Sequence, residues 1–186
     1  MKLLLHCCCG PCAVGSLPQF EEHGYQPFGY FYNPNIHPYQ EHKARRLSFI
    51  ELMERRGLPY LAVKDYPLEE WLRQVAPAPE QRCAYCYQSR LLTAAEFALN
   101  NGFEHFSTTL LISPYQNHQL IRETGERIAA AKGLEFVYLD LRGGFRQGQE
   151  EARAMGLYMQ KYCGCIYSEK ERYQKKKKAI SKGADS

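Results

Sequence analysis

From the second residue onward, short apolar runs alternate with stretches of helical periodicity, and this alternation constrains the fold more than any other feature of the chain. Lys2–His6 (KLLLH) reads as a strand, followed by a small loop through Gly10 and Pro11. Cys12–His23 then reads as a helix closed by Gly24. The aromatic run Pro27–Tyr32 reads as a strand, punctuated by Asn33-Pro34-Asn35. The spacing predicts a helix over Pro38–Arg56, with Leu47, Ile50 and Met53 on one face and Gly57 as its stop. Tyr60–Val63, His105–Thr109 and Glu135–Leu139 read as further strands. Leu68–Gln74, Cys86–Asn101, Gln116–Lys132, Gln149–Tyr162 and Ser168–Lys178 read as helices, with Gly102 and Gly133 as stops. A regular alternation of this kind predicts a single three-layer α/β domain with a mostly parallel sheet. Ligands of such domains bind at the carboxyl ends of the strands.

The chain has 186 residues, 45% hydrophobic and 24% charged, which suits one soluble domain with its own core. The apolar start Met1–His6 is shorter than a signal-peptide core, and no apolar run approaches the length of a membrane-spanning helix. A cytoplasmic protein with no membrane contact is therefore expected, and in that compartment structural disulfides are disfavoured. The net charge of +4 is uneven: residues 170–186 hold seven Lys/Arg against two acids. The rest, residues 1–169, then sums to −1, from 17 basic and 18 acidic residues. This divides the chain into a body, 1–169, and a basic helical tail, 170–186, containing Lys175–Lys178. Such a run either favours phosphate-rich partners or is simply a solvated helix end.

Eight cysteines fall in three clusters: Cys7, Cys8, Cys9 and Cys12; Cys83 and Cys86; Cys163 and Cys165. The first cluster follows the first strand, at the expected N-terminus of a helix, where backbone N–H groups and the helix dipole favour thiolates. Cys7 alone reads better as packing, because a free cysteine also behaves as a small hydrophobe. Cys83-x-x-Cys86 is the spacing of a metal chelate or of a redox dithiol, with Arg82, Tyr87 and Arg90 beside it. Cys163-Gly164-Cys165 suits a reducible dithiol, or alternatively two more ligands to the same metal. Cys8, Cys9, Cys83 and Cys86 make up one four-ligand set, which leaves Cys163 and Cys165 as a redox pair and Cys12 as a spare thiol. Iron is favoured over zinc on this division, since zinc carries no electrons.

Several ordered motifs resemble one family. They are Leu4–Cys12 (LLHCCCGPC), Phe31–Pro38 (FYNPNIHP), Arg82–Tyr87 (RCAYCY), Thr108–Tyr115 (TTLLISPY) and Gly156–Ser168 (GLYMQKYCGCIYS). The chain is similar to QueH-type epoxyqueuosine reductases over about residues 2–168, departing at Cys7, where the family often has an aliphatic residue. The resemblance implies the last step of queuosine biosynthesis, reduction of epoxyqueuosine to queuosine at the wobble position of tRNA. It also implies a [4Fe-4S] cluster on Cys8, Cys9, Cys83 and Cys86, and a redox-active pair at Cys163 and Cys165. An additional mononuclear iron with cysteine and aspartate ligands is implied as well, for which Cys12 and Asp140 are the candidates. The expected architecture is then HUP- or Rossmann-like, with the metal at the carboxyl ends of the strands.

The reaction needs two electrons, two protons and an acid at the epoxide oxygen. Tyr115, His37 and Asp140 are the candidate acids, and an external electron donor is the expected partner besides tRNA. Tyr30, Tyr32 and Tyr39 are candidates for stacking on RNA bases, and Arg45, Arg46, Arg90 and Lys175–Lys178 for holding its backbone. Two other readings compete. In an ATP-dependent tRNA sulfur-transfer enzyme, a glycine- and serine-rich phosphate loop should follow the first strand, where the cysteines stand; nor does a nicotinamide-binding G-x-G-x-x-G follow any strand. A non-catalytic zinc-binding RNA module would hold zinc without acid-labile sulfide.

Overall fold

The computed structural model describes residues 1–174; the expected tail helix beyond that point and the Lys175–Lys178 run lie outside the described residues. Five strands form one all-parallel sheet in the order β3-β2-β1-β4-β5. They are β1 (Lys2–His6), β2 (Gln26–Phe31), β3 (Tyr60–Ala62), β4 (His105–Thr108) and β5 (Glu135–Phe136). Leu3, Leu4 and Leu5 of β1 are fully buried, as a central parallel strand covered on both faces requires. The helices are α1 (Gly10–Glu22), α2 (Tyr39–Arg56), α3 (Leu68–Val75), α4 (Arg82–Asn100), α5 (His118–Lys132), α6 (Phe145–Ala154) and α7 (Ile166–Tyr173). α1 packs between α2 and α6, α4 packs on α5, and the sheet lies between these two groups. The expected three-layer α/β fold is therefore present.

Strand order reverses at β1: β2 and β3 extend to one side of it, β4 and β5 to the other. β1 and β4 run in register as far as His6 and Thr108, so their carboxyl ends open the crevice where ligands bind in doubly wound sheets. The Cys7–Cys9 loop leaves from one of these ends and a 3-10 turn, Thr109–Ile112, from the other.

Local chemistry explains most element boundaries. Cys9 caps α1 by accepting from Cys12 N, and Pro11 sits in the first turn, where its missing N–H costs nothing. Asn117 caps α5 by accepting from Leu120 N.

Four expectations need correction. α4 begins at Arg82, not Cys86, so Cys83 and Cys86 share its first turns. α6 ends at Ala154, ahead of Gly156, and the expected helix through Tyr162 is replaced by an irregular segment tied down by hydrogen bonds. The last strand is laddered only at Glu135 and Phe136 before the chain departs. On α2, Leu47 is 47% exposed and Ile50 half-buried; Met53 is buried as expected, but on a face shared with Arg45, Ser48, Phe49 and Leu52.

Candidate functional site

The loop after β1 delivers three thiols to one point. The Sγ atoms of Cys8, Cys9 and Cys12 lie within 4.8 Å of one another, and all three residues are buried. Close backbone packing makes this possible: a Cβ on Gly10 would meet Ser48 Oγ at 2.5 Å and Ser48 O at 2.7 Å, so the start of α1 lies hard against α2. Cys9 and Cys12 thiols donate toward Cys8, and Arg90 and Thr109 support it further, which holds Cys8 well below the usual thiol range. Burial pushes Cys9 above that range. Cys12 is raised because its proton is held in the bonds to Cys8 and Cys9. The three thiols are thus set to share one negative charge. Cys7 Sγ turns back to Leu5 O at 3.3 Å and is fully buried, as a packing residue should be.

Two arginines approach these sulfurs from different helices, and both are almost wholly buried, Arg45 at 1% and Arg90 at 2% exposure. Arg45 donates from Nε to Glu41 Oε1 at 2.7 Å, from Nη1 to Cys163 O at 2.9 Å and from Nη2 to Tyr162 O at 2.9 Å. Arg90 donates from Nη2 to Asn33 Oδ1 at 2.7 Å, from Nε to His6 Nε2 at 3.3 Å and from Nη1 toward Cys86 Sγ at 3.6 Å. His6 Nε2 lies 3.1 Å from Tyr32 O as well as 3.3 Å from Arg90 Nε, and its Nδ1 is hydrogen-bonded with Thr108 Oγ1 at 2.8 Å, which fixes the ring in place. Burial, with Arg90 alongside, lowers His6 to about 3, so the ring is neutral. Arg45 and Arg90 were expected to hold RNA backbone; at this burial they instead face the thiols. Arg46 is half-buried.

Cys83 and Cys86 stand on α4, outside the close triad. Burial pushes Cys86 up to about 12 and raises the exposed Cys83 as well. The third cluster follows the irregular segment. Cys163 is exposed and accepts from Gln116 Nε2 at 3.3 Å, while Gln116 Oε1 accepts from Tyr87 Oη at 2.7 Å. Cys165 is buried against Trp71 and Val75 and caps α7, its sulfur accepting from Ser168 N at 3.4 Å. Gly164 between them has φ +147, a backbone that side chains rarely adopt, and its carbonyl accepts from His37 N at 2.8 Å. Both thiols are free.

Cys8, Cys12 and Cys163 open onto one cleft of about 950 Å³. Its rim carries Arg146, Arg153, Lys161 and Arg172 against Glu150 and Glu171, a surplus of positive charge. Gln160 reaches from the same wall to Cys12, Nε2 to Sγ 3.4 Å. Tyr115 stands on the rim at 85% exposure, its ring edge-on to Phe145 at 6.0 Å. Of the candidate acids, Tyr115 alone reaches this cleft. His37 is buried beside Trp71, lowered to about 4 by that burial, and hence neutral. Asp140 lies away from the cleft, and hydrogen bonds from Arg142 (Nε to Oδ1, 2.8 Å) hold its carboxyl down at about 2, so it is ionised and has no proton to give. Tyr30 is stacked on Phe97 at 4.7 Å in the core, and Tyr32 is half-buried. Tyr39 is exposed but packs edge-on to Tyr66 at 5.4 Å. The residues that sequence reasoning missed are Gln116 and Gln160, whose amides touch the sulfurs. Their one prior signal was position, beside the SPY and YCGC motifs.

Comparison with known proteins places the chain among relatives. The sequence model of the family described as epoxyqueuosine reductase QueH matches residues 3–171. A protein of that name from Dehalococcoides mccartyi is 38% identical over 174 residues, covering 94% of this chain and 96% of its own. Those from Histophilus somni and Thermotoga maritima are 36% and 31% identical, covering 90% and 93% of this chain and 72% and 93% of their own. Among solved structures, a predicted tRNA methyltransferase subunit from Methanocaldococcus jannaschii superposes with a TM-score of 0.53 at 13% identity, over 82% of this chain and 76% of that one. That likeness concerns the fold alone.

Proposed function

The chain belongs to the epoxyqueuosine reductase QueH family of oxidoreductases, and on that premise we propose that it reduces epoxyqueuosine to queuosine in tRNA, at the wobble position, as the last step of queuosine biosynthesis. One observation carries the reading: the buried thiols of Cys8 and Cys12 and the buried Arg45 guanidinium line a basic-rimmed cleft. No helix among the described residues is long and apolar enough to cross a membrane.

The donor set fits a thiolate-bound metal group. In this reading Cys8, Cys9, Cys83 and Cys86 hold a [4Fe-4S] cluster, which when bound supplies electrons one at a time. Cys12, whose Sγ lies within 4.8 Å of those of Cys8 and Cys9, would be the better candidate ligand for an additional iron. Asp140, tied to Arg142, is the weaker one.

Cys163 and Cys165 supply the electron pair. The balance closes: two thiols and the epoxide give a disulfide, the alkene and water, and an external donor then restores the thiols. Cys163 faces the cleft, where Gln116 Nε2 donates to its sulfur, and Cys165 is buried against Trp71. Tyr115 is placed to stack on a nucleobase turned out of the anticodon loop, or to deliver a proton. Arg146, Arg153, Lys161 and Arg172 are placed to meet phosphates along the rim.

The test is turnover of tRNA bearing epoxyqueuosine by anaerobically isolated protein with a low-potential donor, read by nucleoside mass spectrometry. Absence of queuosine with a fully loaded enzyme rejects the activity. Zinc without acid-labile sulfide rejects the cluster. Cys163→Ser and Cys165→Ser should abolish turnover and keep iron and sulfide; loss of iron in either would move these residues to the ligand set.

A further inference from the structure

Arg90 is a full positive charge, 2% exposed, in the middle of the molecule. A buried arginine normally faces a carboxylate, because an unpaired charge in the interior costs several kcal/mol. Arg45 obeys this rule through Glu41, at 2.7 Å. Arg90 does not: its partners among the described residues are the His6 ring, the Asn33 amide oxygen and the Cys86 sulfur, none of them a carboxylate. His6 and Asn33 are themselves held. His6 is fixed by Thr108 Oγ1, and Asn33 donates from Nδ2 to Cys7 O at 2.9 Å. This cage holds the guanidinium toward the sulfurs, with no carboxylate among its partners.

We propose that Arg90 is the built-in counter-cation of the metal centre, a positioning residue that favours the extra negative charge the centre takes up when reduced. The inference rests on the cluster reading above and deepens it. Four thiolates around a [4Fe-4S] core leave a net negative charge that grows by one on reduction. A cation fixed within reach of Cys86, and close enough to Cys8 to feel its charge, favours the reduced form more than the oxidised one. Neither His6 nor Asn33 is an acid; a carboxylate at either place would cancel Arg90.

Asn33 supplies the cleanest test, since its replacement changes charge while Arg90 stays in place. Asn33→Asp sets a carboxylate 2.7 Å from Nη2 of Arg90 and loses the bond to Cys7 O, whereas Asn33→Ser loses both hydrogen bonds and adds no charge. Iron and acid-labile sulfide are counted first in the unaltered protein. If sulfide is missing there, the cluster reading fails before this inference is reached. With the cluster present, redox titration followed by EPR compares the proteins. Asn33→Asp is expected to weaken reduction at least tenfold, a shift of about 59 mV to lower potential for a one-electron couple, and Asn33→Ser to move it much less. Arg90→Met should shift the same way as Asn33→Asp, and Arg90→Lys, which keeps the charge, should stay near the parent. Equal potentials for Asn33→Asp and Asn33→Ser overturn the proposal. If Asn33→Asp fails to fold, the Arg90→Met and Arg90→Lys pair decides it alone, equal potentials again overturning it.

Discussion

Replacing Arg45 with methionine should destabilise the metal-free protein far more than an ordinary surface change. The side chain is 1% exposed, and its donors serve the Glu41 carboxylate at 2.7 Å and the carbonyls of Tyr162 and Cys163 at 2.9 Å each. Methionine fills similar space, so the packing loss is small and the cost falls on the groups left behind. Breaking a buried ion pair from one side costs about 3–5 kcal/mol. The two carbonyls are partly reachable by water and add little. For a chain of this size that corresponds to a fall of roughly 6–20 °C in Tm. Glu41 lies on the same helix four residues earlier, so the same argument makes a second forecast: Glu41→Gln in the Arg45→Met background should recover most of the loss. Urea unfolding followed by circular dichroism, run as a double-mutant cycle, measures both. Alkylation of Cys163 should also quicken in Arg45→Met, as its loop loses two anchors. A loss below about 1 kcal/mol in the single variant, or a double variant no more stable than the single, would refute the claim that the buried pair holds this end of the site.

Three further outcomes are expected. Lys161→Gln and Arg153→Gln should each weaken tRNA binding and flatten the dependence of log K on log salt by about 0.7–0.9 for each phosphate no longer neutralised, checked by filter binding across a salt series. Gly164→Ala should cost about 1–3 kcal/mol, because φ is +147 there and a Cβ would sit 3.2 Å from Asn35 Nδ2; urea melts measure it. Burial holds His37 and His42 near 4 in the folded protein, below their ordinary 6.5. The unfolded chain therefore binds more protons between those values, and stability must fall as pH drops from about 6.5 toward 4. His42→Gln should flatten that slope in melts run from pH 7 to pH 5.

The layering was legible because strand and helix periods differ and because glycine stops stand where α2 and α5 end. The first cysteine loop was legible for the same reason: a strand, a small-residue turn and a helix place it at the crevice without any knowledge of tertiary packing. Helix starts were harder. Gln81 offers α4 no side-chain cap, so nothing in the sequence marks Arg82 as its first residue. The segment after Ala154 looks helical because Tyr158, Lys161 and Tyr162 recur at helical spacing. It is instead held irregular by long-range bonds, from Arg45 and from Tyr162 Oη to His37 O, which local patterns do not encode. Charge alone suggests RNA binding for the two buried arginines, yet the pattern around them carries a warning. Arg45 shares the spacing of Ser48, Phe49 and Leu52, and Arg90 that of Tyr87, Leu91 and Ala94, so each occupies a core position of its helix. A charge at such a position asks for an internal partner before an external one.

The fastening of the Cys163 loop has a consequence for its own sequence. Arg45 grips main-chain oxygens at positions 162 and 163, which every amino acid possesses. Position 163 can therefore exchange its side chain without loosening the clamp. The clamp separates the place of the group from its chemistry: a serine there should occupy the same point in space as the thiol, unable to donate electrons but no less securely moored.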